Sequence, residues 1–391
     1  MAGMPPDVLT EILCRLPVKP LLQFRSVSKS WRCLIDSPDF IYLHYKNSTE
    51  TGSNLTLILR KDSELYSVDL HLMNNAVDLA HPLMCYSNRI QVLGSCNGLL
   101  CIANVAEDIA LWNPFLRKHK VLPFLSTERN KNYGSGLLGA RAYGFGYDPV
   151  HEDHKLVSIS QFIDFDNEVF ISKVKVYSLR ENELRDSEDM PYALCYTGKN
   201  GTLTSGCLHW VVKRKFKFDE AYIIVAFDLT VESFREVPMP ECTKERIQID
   251  VGVLGGCVCM VANYNYGHVD VWVMKEYAVK ESWAKLFTVA QDEVFGRSLR
   301  YLKPLAYSKS GEEVLFQQNH KRLVWYDLRV KSVRNANFGG LPASFEAEVC
   351  VQSLVPVEVR RKDNDQQHNS GEKDNNKKRD DFLSEGFKLV L

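Results

Sequence analysis

The spacing of apolar residues divides the chain into three stretches. From Pro5 to about Tyr45 the spacing is helical. Val8, Leu9, Ile12, Leu13 and Leu16 fall at i, i+1, i+4, i+5 and i+8, one face of a helix that Pro5-Pro6-Asp7 starts and Pro17 stops. Lys19-Pro20 opens a second segment carrying Leu21, Leu22, Phe24 and Val27. Ser28 is placed to cap a third, in which Trp31, Leu34 and Ile35 share a face. Asp36-Ser37-Pro38-Asp39 reads as a break before Phe40, Ile41 and Leu43. Three helices in about 45 residues cannot bury that much Leu, Ile, Phe and Trp among themselves. The surplus is covered either by the following domain or by a partner.

Past residue 45 the period changes to two. A short apolar strand ending in a turn-prone residue recurs at steps of 44 to 65 residues: Tyr66-Ser67-Val68-Asp69, Leu111-Trp112-Asn113, Val176-Tyr177-Ser178, Ala226-Phe227-Asp228, Val271-Trp272-Val273 and Trp325-Tyr326-Asp327. Several units hold an earlier strand that opens on glycine, as in Gly98-Leu99-Leu100-Cys101-Ile102, Gly206 to Val211 and Gly256 to Val261. Irregular repeats of several strands each predict a β-propeller of about six blades, with seven the other count the length allows. A β-sandwich leaves the repeat unexplained. Closure of the ring requires a strand near Val349-Cys350-Val351 to pair beside Leu55–Leu59, which removes the exposed edges.

The third stretch is polar. Glu358 to Asp381 holds seven acidic and seven basic residues among Asn, Gln, His and Ser, a composition that predicts disorder. Phe382, Leu383, Phe387 and Leu389-Val390-Leu391 then return apolar side chains, as a frayed end or as a short docking segment. The expected fold class is therefore α+β multidomain. A helical module (1–45) precedes an all-β propeller-like domain (46–356) and a polar tail (357–391).

Composition narrows the function. Lys plus Arg is 48 and Asp plus Glu is 49, so the chain lacks the excess positive charge of a general nucleic-acid binder. No apolar run approaches the roughly 18 residues of a membrane span, and the first residues are not read as a secretory leader. Eleven cysteines without a framework read as reduced thiols. The expected location is cytoplasm and nucleus.

Four constellations imitate active sites. Gly134-Ser135-Gly136-Leu137-Leu138-Gly139 fits a dinucleotide string, but a polar stretch precedes it and a strand, Tyr143–Tyr147, follows where a helix is needed. Gly94-Ser95-Cys96-Asn97-Gly98 imitates a nucleophile elbow, but Asn97-Gly98 is a hairpin-turn pair leading into a strand. His151-Glu152-Asp153-His154 follows Asp148-Pro149 and reads as a solvated blade loop rather than a metal helix. Cys257-Val258-Cys259 has no second thiol pair at zinc spacing and points both thiols to one strand face. No catalytic residue, metal or cofactor is expected. Trp112, Trp210, Trp272 and Trp325 recur at matching blade positions and read as packing between blades. Lys213-Arg214-Lys215-Phe216-Lys217 is an exposed basic run, either simply solvated or placed to meet an acidic patch on a partner.

Two resemblances follow from these residues. Pro5 to Lys19, then Phe24-Arg25-Ser26-Val27-Ser28-Lys29-Ser30-Trp31 and the closing Ile35 through Phe40, resemble an F-box. Gly94 to Leu100, Trp112-Asn113-Pro114, Tyr143-Gly144-Phe145-Gly146-Tyr147-Asp148-Pro149, Leu208-His209-Trp210 and Leu323 to Leu328 resemble the plant F-box-associated domain. The first resemblance implies a Skp-type adaptor as partner and, through it, a cullin. It implies that Leu9, Ile12, Leu13, Leu16, Pro17, Leu21, Leu22, Val27 and Trp31 supply the adaptor contacts. The second implies that the propeller holds a protein client, with Lys213, Arg214, Lys215 and Lys217 the candidate contacts. Val251 to Cys257, Val269 to Tyr277 and the terminus Arg379 to Leu391 are similar to a defence-repressing branch of the family, which implies an NLR-type plant immune receptor as that client. The expected function is a non-catalytic substrate receptor of an SCF-type ubiquitin ligase. The alternatives are a propeller hydrolase, for which no carboxylate cluster is found by spacing, and a scaffold or transcriptional partner without ubiquitin output.

Overall fold

The computed structural model describes residues 5–70, 72, 75–84, 89–123, 137–164, 169–195, 199–217, 220–241, 247–264, 268–290, 299 and 301–357. The polar tail, including Lys377-Lys378-Arg379 and Phe382 to Leu391, and Gly134 to Gly136 of the dinucleotide-like string, lie outside the described residues.

Four helices open the chain: α1 (Pro6–Leu13), α2 (Val18–Phe24), α3 (Lys29–Ile35) and α4 (Pro38–Glu50). The fourth is where the pattern predicted a break. Ser37 accepts a hydrogen bond from the Phe40 amide at 3.2 Å, and Pro38 stands at the start of the helix, where its missing N–H costs nothing. Ser-Pro-Asp is thus a restart rather than a stop, and the helical region runs to Glu50. Inside the bundle Leu13, Val18, Leu21, Ile35 and Phe40 pack together with Leu354, which arrives from the far end of the propeller.

Six antiparallel sheets follow. Blade 1 comprises Glu346–Val351, Leu55–Lys61, Glu64–Asp69 and Val77–Asp78. Blade 2 comprises Ile90–Cys96, Leu99–Asn104, Ile109–Asn113 and Lys118–Val121, and blade 3 Leu137–Asp148, Asp153–Asp164, Val169–Ser178 and Glu183–Asp186. In blade 4 Ala193–Leu194 and Thr202–Thr204 both pair with Cys207–Lys213, followed by Tyr222–Asp228 and Ser233–Val237. Blade 5 holds Gln248–Leu254, Cys257–Asn263, His268–Met274 and Trp283–Ala290, and blade 6 Leu302–Tyr307, Glu313–Gln318, Arg322–Asp327 and Val333–Asn335. The recurring segments seen in the sequence are the third strand of every blade, and the glycine-opened strands are the second. The ring closes as expected, with Leu55 opposite Val351, Leu57 opposite Val349 and Leu59 opposite Ala347.

Each pair of neighbouring blades encloses its own apolar cluster. Leu100 and Trp112 of blade 2 meet Ile58 and Cys350 of blade 1, and Val157 and Val176 of blade 3 meet Leu208 and Phe227 of blade 4. Trp112, Trp210 and Trp325 are buried in three of these seams, and Trp272 is half-buried at a fourth. They are not at one matching position: Trp210 sits on a second strand and the other three on third strands. The alternating glycines of Tyr143 to Asp148 follow from the same packing. A Cβ on Gly144 would stand 2.7 Å from a Leu208 methyl and one on Gly146 2.6 Å from a Leu229 methyl, so blade 4 fills the space a side chain would need. Below them Lys155 donates to Asp148 at 2.9 Å, to the Leu229 carbonyl at 2.6 Å and to Glu232 at 2.9 Å, bolting blade 3 to blade 4.

The imitation sites resolve into turns and strands. Asn97 and Gly98 have φ of +53° and +77° and form a two-residue hairpin turn, leaving Cys96 buried in the sheet. The turn after Asp148 leaves His151 and Glu152 exposed, as expected, but Asp153 and His154 begin the next strand and are not solvated. Asp153 is buried and accepts from Ser178 at 2.6 Å and the Arg180 amide at 2.7 Å, and His154 is buried against Phe145 and Tyr147. Both Cys257 and Cys259 face the seam between blades 5 and 6.

Candidate adaptor interface

The helical module exposes large apolar side chains. Val8 is 45% exposed, Ile12 46% and Val27 60%, all more than an aliphatic side chain in a self-contained bundle needs to be. Pro17 is exposed as well, and Leu9, Leu16, Leu22 and Trp31 are half-buried. Leu13 and Leu21 are different: at 1% and 0% exposure they are the centre of the module, and what they supply is the fold of the surface, not the surface itself. The nine expected contact residues thus divide into two that are wholly internal and seven that reach the outside.

Local polar contacts hold this surface in place. Ser28 caps α3 by accepting from the Trp31 amide at 3.1 Å, and Trp31 meets Phe24 edge to face at 5.7 Å. Arg25 pairs with Asp36 at 2.8 Å, joining the ends of α2 and α3. His44 Nε2 donates to the Leu16 carbonyl at 2.9 Å and Asn47 donates to the Cys14 carbonyl at 3.2 Å, so α4 satisfies the open end of α1. Burial holds His44 below the usual imidazole range, consistent with a neutral ring.

The module sits on the face of the ring where the innermost strands end. Asn54 donates to Ser48 at 2.9 Å, the Gln352 amide donates to the Asn54 carbonyl at 2.9 Å, and Phe115 and Leu116 of blade 2 pack with Leu354 against the helices. The basic run lies on the opposite face, since Cys207–Lys213 runs antiparallel to the innermost strand of its blade. Arg214 and Lys213 are engaged locally. Arg214 makes a two-pronged pair with Glu236 at 2.9 and 2.6 Å, and Lys213 lies 5.0 Å over the Tyr222 ring. Lys215 and Lys217 are exposed.

Sequence reasoning missed other groups on that face. Tyr301 stacks on His320 at 4.0 Å, Tyr264 stacks on His268 at 4.1 Å, and Lys199 pairs with Asp250. Tyr264 and His268 are four residues apart across one connection, but the other two pairs join residues distant in the sequence, and the three pairs share no common spacing. A cavity of about 30 Å³ lined by Gln248, Asp250, Asn263 and Tyr301 lies between blades 5 and 6, room for water rather than for a substrate. Among the described residues no group of three His, Cys, Asp or Glu is arranged to hold a metal ion.

Residues 1–43 match the F-box domain, and residues 56–357 match the F-box associated beta propeller domain. The chain is an F-box protein. Over the full length of both chains it is 38% identical to F-box protein CPR1 of Arabidopsis thaliana and 33% identical to a second F-box protein of that plant. It is 30% identical to an Arabidopsis F-box/kelch-repeat protein over 73% of this chain and 79% of the other. Like its family, this F-box protein is a substrate adaptor and not a catalyst, with the propeller as its substrate-binding domain.

Proposed function

We propose that this F-box protein is the client-receiving subunit of an SCF-type ubiquitin ligase, binding a Skp-type adaptor through its helices and, through that adaptor, a cullin. One observation carries the reading: the helical module leaves Val8, Ile12 and Val27 open to solvent while its other side is seated on the propeller. Catalysis is then proximity. The assembly holds a client lysine near a ubiquitin-loaded enzyme and raises its effective concentration, with no bond chemistry in this chain. The client occupies the face opposite the helices, where Lys215 and Lys217 are exposed.

The client we propose is an NLR-type immune receptor, whose removal damps defence, and the sites of action are cytoplasm and nucleus. The support is resemblance to a defence-repressing branch of the family. The test is affinity purification from plant cells with the proteasome inhibited, comparing wild type with Ile12→Ser/Val27→Ser. Both positions are exposed, so the variant keeps its fold. Adaptor and cullin recovery should fall at least tenfold while an NLR protein stays bound and accumulates. Adaptor recovery at the wild-type level sinks the interface. Adaptor binding with no proteasome-dependent client loss favours a scaffold instead. A fluorescent fusion excluded from nucleus or cytoplasm refutes that part of the location.

A further inference from the structure

The turn joining the third and fourth strands is built alike in blades 2, 4 and 6. In blade 4 the Asp228 carboxylate accepts from the amides of Thr230 and Val231 at 2.9 and 3.3 Å. In blade 6 Asp327 accepts from Arg329 and Val330, both at 2.8 Å. In blade 2 the Asn113 side-chain oxygen accepts from Phe115 and Leu116 at 3.0 and 3.1 Å. A left-handed residue ends each turn: Glu232, Lys331 and Arg117, with φ of +56° to +57°. Against this shared frame, blade 2 differs in two ways.

The first difference is amide for carboxylate. A carboxylate only accepts, whereas an amide also donates twice. Asn113 is fully buried, and its nitrogen donates to the carbonyls of Ser353 at 3.0 Å and Val355 at 2.9 Å. Those carbonyls flank Leu354, the propeller residue inside the helical core. The second difference is apolar bulk. Val231 and Val330, at the tips of the blade 4 and blade 6 turns, are 68% and 73% exposed. Blade 2 carries Phe115 and Leu116 at the tip, both packed against the helices. One turn therefore holds the three propeller side chains that enter the helical core, two directly and Leu354 through the amide, while Tyr45 of α4 meets Asn97 beside them.

We propose that Asn113 is a positioning residue, which turns one of several equivalent blade turns into the mount for the helical module and so fixes the adaptor relative to a bound client. The mount follows from the geometry alone. Its effect on ubiquitin transfer rests on the ligase reading above.

The discriminating variant is Asn113→Asp. It keeps the turn acceptor, as Asp228 and Asp327 do, and replaces two donors with a carboxylate facing two carbonyls. Asp228→Asn and Asp327→Asn are the controls. Spin-labelled unnatural residues at Tyr42 on α4 and Val231 on the blade 4 turn, in the full chain with its cysteines unlabelled and the adaptor bound, report the distance between the two bodies. Asn113→Asp should broaden that distance distribution at least twofold, with adaptor affinity changed less than twofold and both controls unchanged. A distribution as narrow as wild type overturns the mount. If Asn113→Asp does not fold, the graft Pro114→Leu/Phe115→Arg/Leu116→Val gives blade 2 the blade 6 turn and should broaden the distribution in the same way. In a reconstituted ligase, ubiquitin transfer to a bound client should slow by roughly tenfold or more at unchanged client affinity. Broadening without slower transfer leaves the mount standing and removes its role in positioning ubiquitin.

Discussion

The helical module and the propeller solve the problem of burial in opposite ways. Every blade is sandwiched between two others, so each apolar sheet face has a partner within the ring. The helices have no such symmetry. They complete one side of their core with Leu354, Phe115 and Leu116 from the propeller and leave the other side open at Val8, Ile12 and Val27. A small bundle that cannot close by itself is finished within the chain on one side, and on the other it leaves the surface that the proposed adaptor would cover. The difference explains why residues of the same type, at adjacent positions on α1, do different work: Leu13 holds the module together and Ile12 presents it.

The comparison can be broken most decisively in the propeller. Lys155→Ala leaves the buried Asp148 and the half-buried Glu232 without their shared cation, and should cost about 3–5 kcal/mol in urea unfolding. Burial acts to raise the Asp148 carboxyl, but Lys155 and His151 hold it well below the usual carboxylate range. Because the module depends on the closed ring for its seat, adaptor binding should be lost in the same transition. A propeller that melts while the helices stay native would show that the bundle stands alone. Next in size, Leu13→Ala should cost about 2–5 kcal/mol, confined to the helices. Calorimetry should then resolve an early transition that abolishes adaptor binding, ahead of a propeller transition at the wild-type temperature. A single transition shifted as a whole means the two regions share one core.

The most gradual effect, and the smallest for any single group, is acid sensitivity. Burial pushes both His154 and His209 down to about 4, against an ordinary value of 6.5, and holds His44 low as well. Below pH 6.5 the unfolded chain binds protons that the folded chain refuses, so stability falls with falling pH, by about 1.4 kcal/mol per pH unit for each group, until the folded value is reached. Two of the three histidines are in the propeller, so its midpoint should drop faster than that of the helices between pH 6.5 and 5. A flat profile would mean that these rings are charged in the folded protein.

Much of this architecture was legible because it repeats. Four of the six third strands end in Asp or Asn, and three of those residues, Asn113, Asp228 and Asp327, turn out to be the acceptors that hold the following turn. The closing pair was legible because a propeller leaves no other partner for its first strand. Two things were hidden. Ser37-Pro38-Asp39 carries the same residues whether a helix is ending or starting, and only the Ser37–Phe40 bond decides between them. Helical periodicity put Leu9, Ile12, Leu13 and Leu16 on one broad face. Which of them is internal depends on what covers that face, and Leu354 comes from more than 300 residues away.

The strand Glu346–Val351 lies beside Leu55–Lys61, so the ring is completed by some of the last residues of the domain to be made. At roughly 5–20 residues per second, the edge of blade 1 waits on the order of 15–60 s for its partner during synthesis. Leu354 follows three residues after Val351, and the helices cannot be seated before it emerges. A chain stopped at residue 345 therefore carries an open strand edge and an unmounted helical module. Translation order thus makes the seating of the helical module a late event, reached only by chains that have already closed their propeller.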